Sequence, residues 1–349
     1  MKYSLGLILL SVFLFYFEPV IKSEFTKGRT SLDTKSNRQD LNSKTCKSCH
    51  ANEHEDWSLS RHKVSWTNPI FGEGFAVEKL ITCIHCHAPL KEQAKQIYPN
   101  LNEIKIYTDS LVDEGVNCAV CHLRENKILT SKKDLDNSAH EFIYKPEISK
   151  SEFCANCHEF EFHFMRKNKL VYMKEKMQST YSEWLNYKTK STNPKTCQGC
   201  HMPEGKHIFP GAHSRQNLKD SISLNIENLN LGYKFILKTK EVGHDFPTGD
   251  LFRNITLEVK EGNEFKIIHT MGRSFKLIKT KDNFHDKVLD KNTSLKPFED
   301  REVFYKSKNP IQYRLVYHYA SEKDETRKKI KHEDLFFTIH FGELKKAEL

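Results

Sequence analysis

The stretch TCKSCHANEHEDWSLSRH, residues 45–62, contains two Cys separated by two residues, with a His directly after the second Cys. This five-residue pattern occurs five times, and the five copies together use all 10 Cys of the chain. No Cys is left over to pair elsewhere. The copies are Cys46-Cys49-His50, Cys83-Cys86-His87, Cys118-Cys121-His122, Cys154-Cys157-His158 and Cys197-Cys200-His201.

The pattern C-x-x-C-H is the attachment signature of c-type haem. The two thiols form thioethers with the porphyrin, and the following His binds the iron. Zinc sites, a redox dithiol and a disulfide framework are the alternatives for Cys pairs. Zinc does not require a His after every second Cys, and a redox dithiol needs one motif rather than five. The sequence therefore predicts five covalent c-type haems, with the ten Cys as attachment residues and the five motif His as iron ligands.

The motifs begin at residues 46, 83, 118, 154 and 197, which places one in every 35 to 43 residues. The segments between them are not alike, so the spacing does not indicate a solenoid. We expect residues 24–219 to form a pentahaem cytochrome c domain of short helices and loops. Because each haem has few residues to itself, the macrocycles should supply much of the core.

The five motif His leave thirteen of the 18 His for other roles. A low-spin haem iron takes a second strong axial ligand, and His is the natural choice in such a chain. The alternative for each His is a surface or hydrogen-bonded role. Five are candidate second ligands: His62 after the first motif, His140 between the third and fourth, His207 and His213 after the fifth, and His244 in VGHDFPTG. This count neither requires nor excludes a haem with an open coordination position.

From about residue 220 the chain has no Cys, and β-branched and aromatic residues alternate or cluster in short segments. Turn signals separate these segments. They are SISLNIENL, YKFILKTK, NITLEVK, KIIHT, QYRLVYHY and LFFTIHF. The pattern predicts an antiparallel β-sandwich over residues 220–349 and an α+β, two-domain fold overall. A structural or docking module is favoured here over a catalytic one, and His244 is where the two halves can meet.

Residues 1–23 have an early Lys and an apolar run from Leu5 to Phe17. Thirteen apolar residues fit a secretory signal peptide and are few for a bilayer span, so we expect export to the periplasm. An uncleaved membrane anchor is the alternative. The formal charge of +9 is weak support for a nucleic-acid partner, since ionised haem propionates add negative charge of comparable size. No nucleic acid is expected to bind.

The chain resembles the multihaem cytochromes c related to cytochrome c-554, in an ordered set of segments between residues 45 and 305. These are CKSCH with WSLSRH, GVNCAVCH, FCANCHEF, MQSTYSEW and TCQGCHMP, while GHDFPTG and NTSLKPFEDREVFY resemble a β-rich C-terminal module of some of these proteins. The resemblance implies that His62, His207 and His213 are axial ligands. It also implies electron transfer, since cytochrome c-554 is the tetrahaem carrier that serves hydroxylamine oxidoreductase.

The wider group includes pentahaem nitrite reductases, which use a Lys in place of the motif His at the catalytic haem. All five motifs of this chain end in His. We therefore expect a carrier between redox partner proteins, either other cytochromes or a membrane quinol dehydrogenase. The alternative is an oxidoreductase acting on nitrite, hydroxylamine or sulfite at one open haem, with pocket candidates His163, Arg166, Tyr172 and Tyr181 near the fourth motif.

Overall fold

The structure is a computed structural model. It describes residues 41–97, 110–124, 127–133, 135, 139–166, 169–281, 284–320, 330 and 334–345. The predicted signal peptide, residues 1–23, lies outside the described residues. Within the described ranges, no helix combines the length and apolar character needed to span a bilayer.

The helices of the described ranges are short and lie before residue 222, as the motif spacing predicted. They are α1 Ser43–Lys47, α2 Ala51–Ser58, α3 Pro69–Glu78, α4 Ile81–His87, α5 Lys91–Ile97, α6 Cys118–His122, α7 Ser151–His158, α8 Thr180–Lys190, α9 Cys197–His201 and α10 Arg215–Ser221. Three short 3-10 helices cover Leu111–Glu114, Pro146–Ser149 and Pro203–Gly205. None is long enough to be stable alone in water, so tertiary packing must hold them.

Helix α3 connects the two halves of the molecule. The side chain of Asn68 caps it by accepting hydrogen bonds from the backbone N–H groups of Ile70 and Phe71, and Pro69 occupies its first turn. On one side Ile70 packs against the core of the β-rich half. On another side of the helix, Phe71 and Phe75 pack beside the second motif.

The haem-motif half also contains strands, which the expectation of helices and loops did not include. Strands β1 Leu123–Arg124, β2 Lys127–Thr130 and β3 Phe142–Tyr144 form a small sheet, and β4 Phe160–Arg166 pairs antiparallel with β5 Lys169–Gln178. The segment FEFHFMR alternates aromatic and polar residues, a two-residue period that favours a strand.

The second half is made of two antiparallel sheets. Its strands are β6 Ile222–Leu229, β7 Gly232–Thr239, β8 Asn254–Glu261, β9 Glu264–Lys279, β10 His285–Asn292, β11 Asp300–Lys306, β12 Ile311–His318 and β13 Phe336–Leu344. The order is β10-β9-β8-β12-β13 in one sheet and β11-β7-β6 in the other. All six predicted segments coincide with strands, and the chain is mixed α+β as expected.

One hydrophobic cluster joins these two sheets. Phe235 and Leu237 of β7 lie in it together with Ile255 and Leu257 of β8, all four with no exposed surface. The cluster begins in sequence at Leu218 on α10. Residues from both sheets thus share a single core, which is the packing that alternating strands produce when one face of each sheet is apolar.

Candidate functional site

Helical spacing explains how each motif presents its three functional side chains. Helices α4, α6, α7 and α9 end on the motif His, and their first motif Cys stands four residues earlier. Positions i, i+3 and i+4 lie on one face of a helix, so two thiols and an imidazole point to the same side. The first motif instead spans α1 and α2, with His50 at the N-cap of α2.

Four of the five motif imidazoles face a second imidazole. The ring-centre distances are 6.3 Å for His50–His140, 6.4 Å for His62–His158, 6.1 Å for His122–His207 and 6.3 Å for His201–His244. Two imidazoles that bind one metal ion, with metal–nitrogen bonds of about 2 Å, have ring centres about 6 Å apart. The four pairs therefore have the spacing that an iron between two His requires, and they fit the haem that the motifs imply.

The second ring nitrogen of several of these His is hydrogen-bonded to a backbone carbonyl. The Nδ1–O distances are 2.8 Å for His87 to Ser65, 3.3 Å for His122 to Leu129, 2.6 Å for His201 to Pro210 and 2.8 Å for His244 to Asp245. When Nδ1–H donates to a carbonyl, Nε2 is left unprotonated, and metal-binding His are usually held in this way. In the fourth motif, Nδ1 of His158 lies 3.1 Å from the side-chain amide of Gln178.

Burial keeps the imidazoles of His62 and His158 neutral. The pKa of His62 is lowered to about 3, first by burial and then by His158 and His201. Burial, followed by the charges of His201 and Arg253, lowers the pKa of His158 to about 4. Since only the neutral imidazole can bind a metal, the site favours the ligating form.

His87, in the second motif, has different surroundings. Its ring stacks on Phe71 at 3.7 Å with an interplanar angle of 12°. Trp66 and Phe75 complete an aromatic cluster around Phe71. Among the described residues, the ring stacked on His87 is thus that of an aromatic side chain, whereas the other four motif His each face an imidazole.

Of the five predicted second ligands, the structure brings His62, His140, His207 and His244 to a motif imidazole, and His213 to a tyrosine. The ring of His213 stacks on Tyr319 at 4.3 Å and 12°. The hydroxyl of Tyr319 donates to the carbonyl oxygen of Ala212 at 2.8 Å, which holds this loop against the β-rich half. His207 and His213, with five residues between them, thus lie in two different environments.

The four pocket candidates do not form one cluster, although His163 and Tyr172 are neighbours. His163 lies beside the second motif rather than the fourth, with Nε2 2.6 Å from the hydroxyl of Thr82, and its ring lies 5.8 Å from that of Tyr172. Tyr181 stacks on Trp184, and Arg166 lies over Phe284. The β4–β5 pairing, which sequence reasoning missed, places His163 opposite Tyr172.

Two pairs of motifs contact each other through their first Cys. The thiols of Cys46 and Cys118 hydrogen-bond to each other, and those of Cys154 and Cys197 do the same. In both pairs the first Cys of one motif meets the first Cys of another. The first and third motifs are therefore neighbours, as are the fourth and fifth.

Parts of the chain are similar to known proteins. Residues 45–123, which hold the first three motifs and His62, match the family described as cytochrome c554 and c-prime. The structure is similar to the crystal structure of a penta-heme cytochrome c552 from Thermochromatium tepidum, with a TM-score of 0.66 and 19% sequence identity. The match covers 88% of this chain and 99% of the other. No curated protein matches the chain in sequence.

The family match covers under a quarter of the chain, and the structural likeness shows a shared fold. Together with five C-x-x-C-H motifs and imidazole pairs spaced for iron, these findings support a multihaem c-type cytochrome that takes part in electron transfer or oxidoreduction.

Proposed function

We propose that the chain is exported to the periplasm, binds five c-type haems in residues 24–219 and transfers electrons between redox partner proteins. Those partners would be other cytochromes or a membrane quinol dehydrogenase. The observation that carries the proposal is the set of four imidazole pairs at 6.1–6.4 Å. Bis-imidazole ligation is typical of low-spin haems that carry electrons rather than bind substrates.

In this proposal each residue type has a separate task. The ten Cys tether the porphyrins, and His50, His87, His122, His158 and His201 bind the irons from one side. A second His binds four of these irons from the other side. It is His140 for the first motif, His207 for the third, His62 for the fourth and His244 for the fifth. When bound, the haems supply one-electron redox chemistry, while the chain sets their spacing, orientation and electrostatic surroundings.

The contacts between motifs favour a branched relay. Cys46 and Cys118 link the first motif to the third. The ring of Phe209 lies 6.0 Å from that of His207 and 4.3 Å from that of His62, so it bridges the ligand sets of the third and fourth motifs. Cys154 and Cys197 link the fourth motif to the fifth.

The fourth motif also approaches the second, because the charge of His87 acts on His158. Electron-transfer routes then meet at the fourth motif. One comes from the first and third motifs, one from the fifth and one from the second. A chain of sites of this kind, linked by contact, suits transport of single electrons across a protein.

Electron paramagnetic resonance on the oxidised holoprotein tests the ligand assignment. His62→Ala, His140→Ala and His207→Ala should each convert one low-spin haem to a high-spin or altered signal, because each removes one axial ligand. His213→Ala is the matched control and should leave the low-spin signals intact. If the intact mass of the holoprotein lacks five haems, or if none of the three substitutions changes the spin state, the proposal fails.

The surroundings of His87 favour a second candidate function, an oxidoreductase acting on a small nitrogen or sulfur species at the iron that His87 binds. Here the ring beside the motif imidazole is Phe71. Phe71 holds the imidazole of His87 from one side, and the carbonyl of Ser65 orients it. Spectral shifts of the holoprotein on adding nitrite, hydroxylamine or sulfite would support this function, and the absence of such shifts would exclude it.

A further inference from the structure

The imidazole of His158, in the fourth motif, has a different kind of hydrogen-bond partner from three other motif imidazoles. Nδ1 of His87, of His122 and of His201 lies 2.6–3.3 Å from a backbone carbonyl oxygen. Nδ1 of His158 instead lies 3.1 Å from the side-chain amide of Gln178. A backbone carbonyl is present whatever the side chain is, whereas this partner depends on one residue type. The proposed function gives Gln178 no role.

The β-rich half fixes the backbone on both sides of Gln178. Gln178 ends strand β5, and Ser179 is the N-cap of helix α8. The guanidinium of Arg273, on strand β9, donates to the carbonyl oxygen of Met177 at 2.8 Å and to the hydroxyl of Ser179 at 3.1 Å. Because guanidinium donors have a fixed planar geometry, these bonds hold the position from which the amide of Gln178 extends.

A second network fixes the backbone next to His158. Glu159 follows His158 at the end of helix α7, and its carboxylate accepts a hydrogen bond from the ammonium of Lys176 on β5. The same ammonium donates to the hydroxyl of Ser182 at 2.7 Å, and the backbone N–H of Ser182 donates to Glu159 at 3.1 Å. Strand β5, helix α8 and the end of α7 are therefore tied together, so the imidazole of His158 and the amide of Gln178 are held facing each other.

The roles of the two ring nitrogens decide what the amide must supply. Gln178 occupies the Nδ1 side of His158, which leaves Nε2 to bind the fourth iron. A neutral imidazole that binds a metal through Nε2 carries its proton on Nδ1 and donates it. In the structure the amide nitrogen is the atom near Nδ1. A half-turn of the amide puts its oxygen there instead, since the two ends are alike in size and differ only in their hydrogen bonds.

The hydroxyl of Thr180 is compatible with an oxygen at this place. It lies 3.4 Å from the same amide atom and 2.9 Å from the hydroxyl of Thr248. A hydroxyl can donate as well as accept, and Thr248 donates its own proton to Glu183. Thr180 therefore has a proton for the amide oxygen of Gln178, which then accepts from the imidazole on one side and from a hydroxyl on the other.

We propose that Gln178 is a positioning residue for the fourth haem: its amide oxygen accepts the Nδ1–H of His158, orients the imidazole and raises its basicity as an iron ligand. The proposal rests on the proposed function, because it requires an iron between His158 and His62. A more basic axial ligand stabilises the ferric state and lowers the potential of its haem. Since the routes of the proposed relay meet at the fourth motif, Gln178 sets the potential at the branch point.

Two substitutions of Gln178 change the acceptor in opposite directions and keep the length of the side chain. Gln178→Met removes the amide, and Gln178→Glu replaces it by a carboxylate, a stronger acceptor. Potentiometric titration of the holoproteins at pH 8, read by electron paramagnetic resonance, gives the potential of each low-spin haem. The signal that His62→Ala removes identifies the fourth haem. Gln216→Met and Gln216→Glu are the matched controls, since Gln216 lies on α10 and bonds to Asp220.

Gln178→Met should raise the potential of the fourth haem and Gln178→Glu should lower it, while the substitutions of Gln216 leave it unchanged. The opposite signs separate tuning of the ligand from loosening of the site, which would shift both variants in the same direction. Shifts of the same sign, a shift absent from either variant, or equal shifts in the Gln216 variants would overturn the proposal. If the holoprotein lacks five haems, or if His62→Ala leaves every low-spin signal intact, the proposed function fails instead.

Discussion

The two halves of the molecule bury apolar surface in different ways. The β-rich half has one cluster of seventeen buried residues, whereas the two clusters around the first three motifs have six and five among the described residues. Between residues 139 and 205, the described apolar side chains that are buried are Phe162 and Trp184. Among the described residues, the half with more Cys and His therefore has much less protein core.

This difference shows where the stability of each half must come from. A core of seventeen buried side chains can hold two sheets together by apolar burial alone. Short helices with a few buried residues cannot, and covalent macrocycles packed among them would supply the missing apolar surface. The haem-motif half is therefore expected to depend on its cofactors for folding, and the β-rich half is not.

The largest expected effect comes from preventing haem attachment by replacing all ten motif Cys with Ala. Helices α7, α8 and α9 should then lose their structure, because the apolar surface against which they pack is missing. The strands β7, β8 and β12 should keep theirs. Hydrogen exchange read by mass spectrometry should show full loss of amide protection in the three helices and retained protection in the three strands.

The holoprotein provides the control for this experiment, with protection in both halves. Native-like protection of α7 and α8 in the haem-free chain would contradict the comparison. So would complete loss of protection in β7 and β8, since that would show the β-rich half depending on the haems as well.

The next effect in size is a large-to-small substitution in the β-rich core. Leu257 has no exposed surface and lies in the central strand β8. Leu257→Ala should lower the free energy of unfolding of this half by about 3 to 5 kcal/mol, because it removes buried contacts and leaves a cavity. Chemical denaturation followed by far-ultraviolet circular dichroism measures this loss, and the haem absorption spectrum should not change before the half unfolds.

Leu277→Ala is the matched control, since Leu277 is 62% exposed on the neighbouring strand β9. It should change the free energy of unfolding by about 0.5 kcal/mol or less. Equal losses for the two substitutions would mean that the seventeen-residue cluster is not the stabilising core of this half.

A third prediction concerns His244, a residue of the β-rich half that faces a motif imidazole. His244 lies 6.3 Å from His201, with the two rings nearly parallel. His244→Ala should convert about one quarter of the low-spin haem signal to high spin, because one of the four irons placed between two imidazoles loses a ligand. Electron paramagnetic resonance of the oxidised holoprotein measures this change.

His269→Ala is the control for His244→Ala, since His269 lies near Arg301 within the same half. It should leave the spin state of every haem unchanged. A low-spin spectrum that survives His244→Ala would show that the β-rich half covers the haem array without ligating it.

Local spacing allowed much of this architecture to be predicted from sequence. The motif helices follow from positions i, i+3 and i+4. Six strands follow from two-residue alternation. Strands β10 and β11 were not predicted, because HDKVLDKN and DREVFYK are rich in charge and become strands by pairing with β9 and β7.

The second axial ligands show more clearly what cannot be predicted from the sequence. His207 and His213 lie six positions apart in one loop. Which of them faces a motif imidazole depends on Tyr319, more than a hundred residues away, and its hydrogen bond to Ala212. Such a choice is set by long-range packing, and no local pattern in a single sequence contains it.

The smallest predicted effect is at the contact between the halves. Glu183 on α8 is buried and accepts hydrogen bonds from Thr248 of the β-rich half and from Ser179. Its pKa is raised above the usual 4.5, mainly by burial. A carboxyl with a raised folded pKa binds more protons folded than unfolded, so this contribution to stability is lost as pH rises from 4.5 through the folded pKa.

Glu183→Gln removes the charge and keeps an oxygen that can accept from Thr248. At pH 7 it should raise the free energy of unfolding by about 1 kcal/mol, and the gain should vanish below about pH 4.5, where wild-type Glu183 is protonated in both states. Thermal unfolding of both holoproteins from pH 4 to pH 8 measures the difference, with the exposed Glu264→Gln as control. A loss of stability at pH 7 would mean that Glu183 acts as a charged link between the halves, so that the β-rich half and the haem-motif half depend on each other electrostatically.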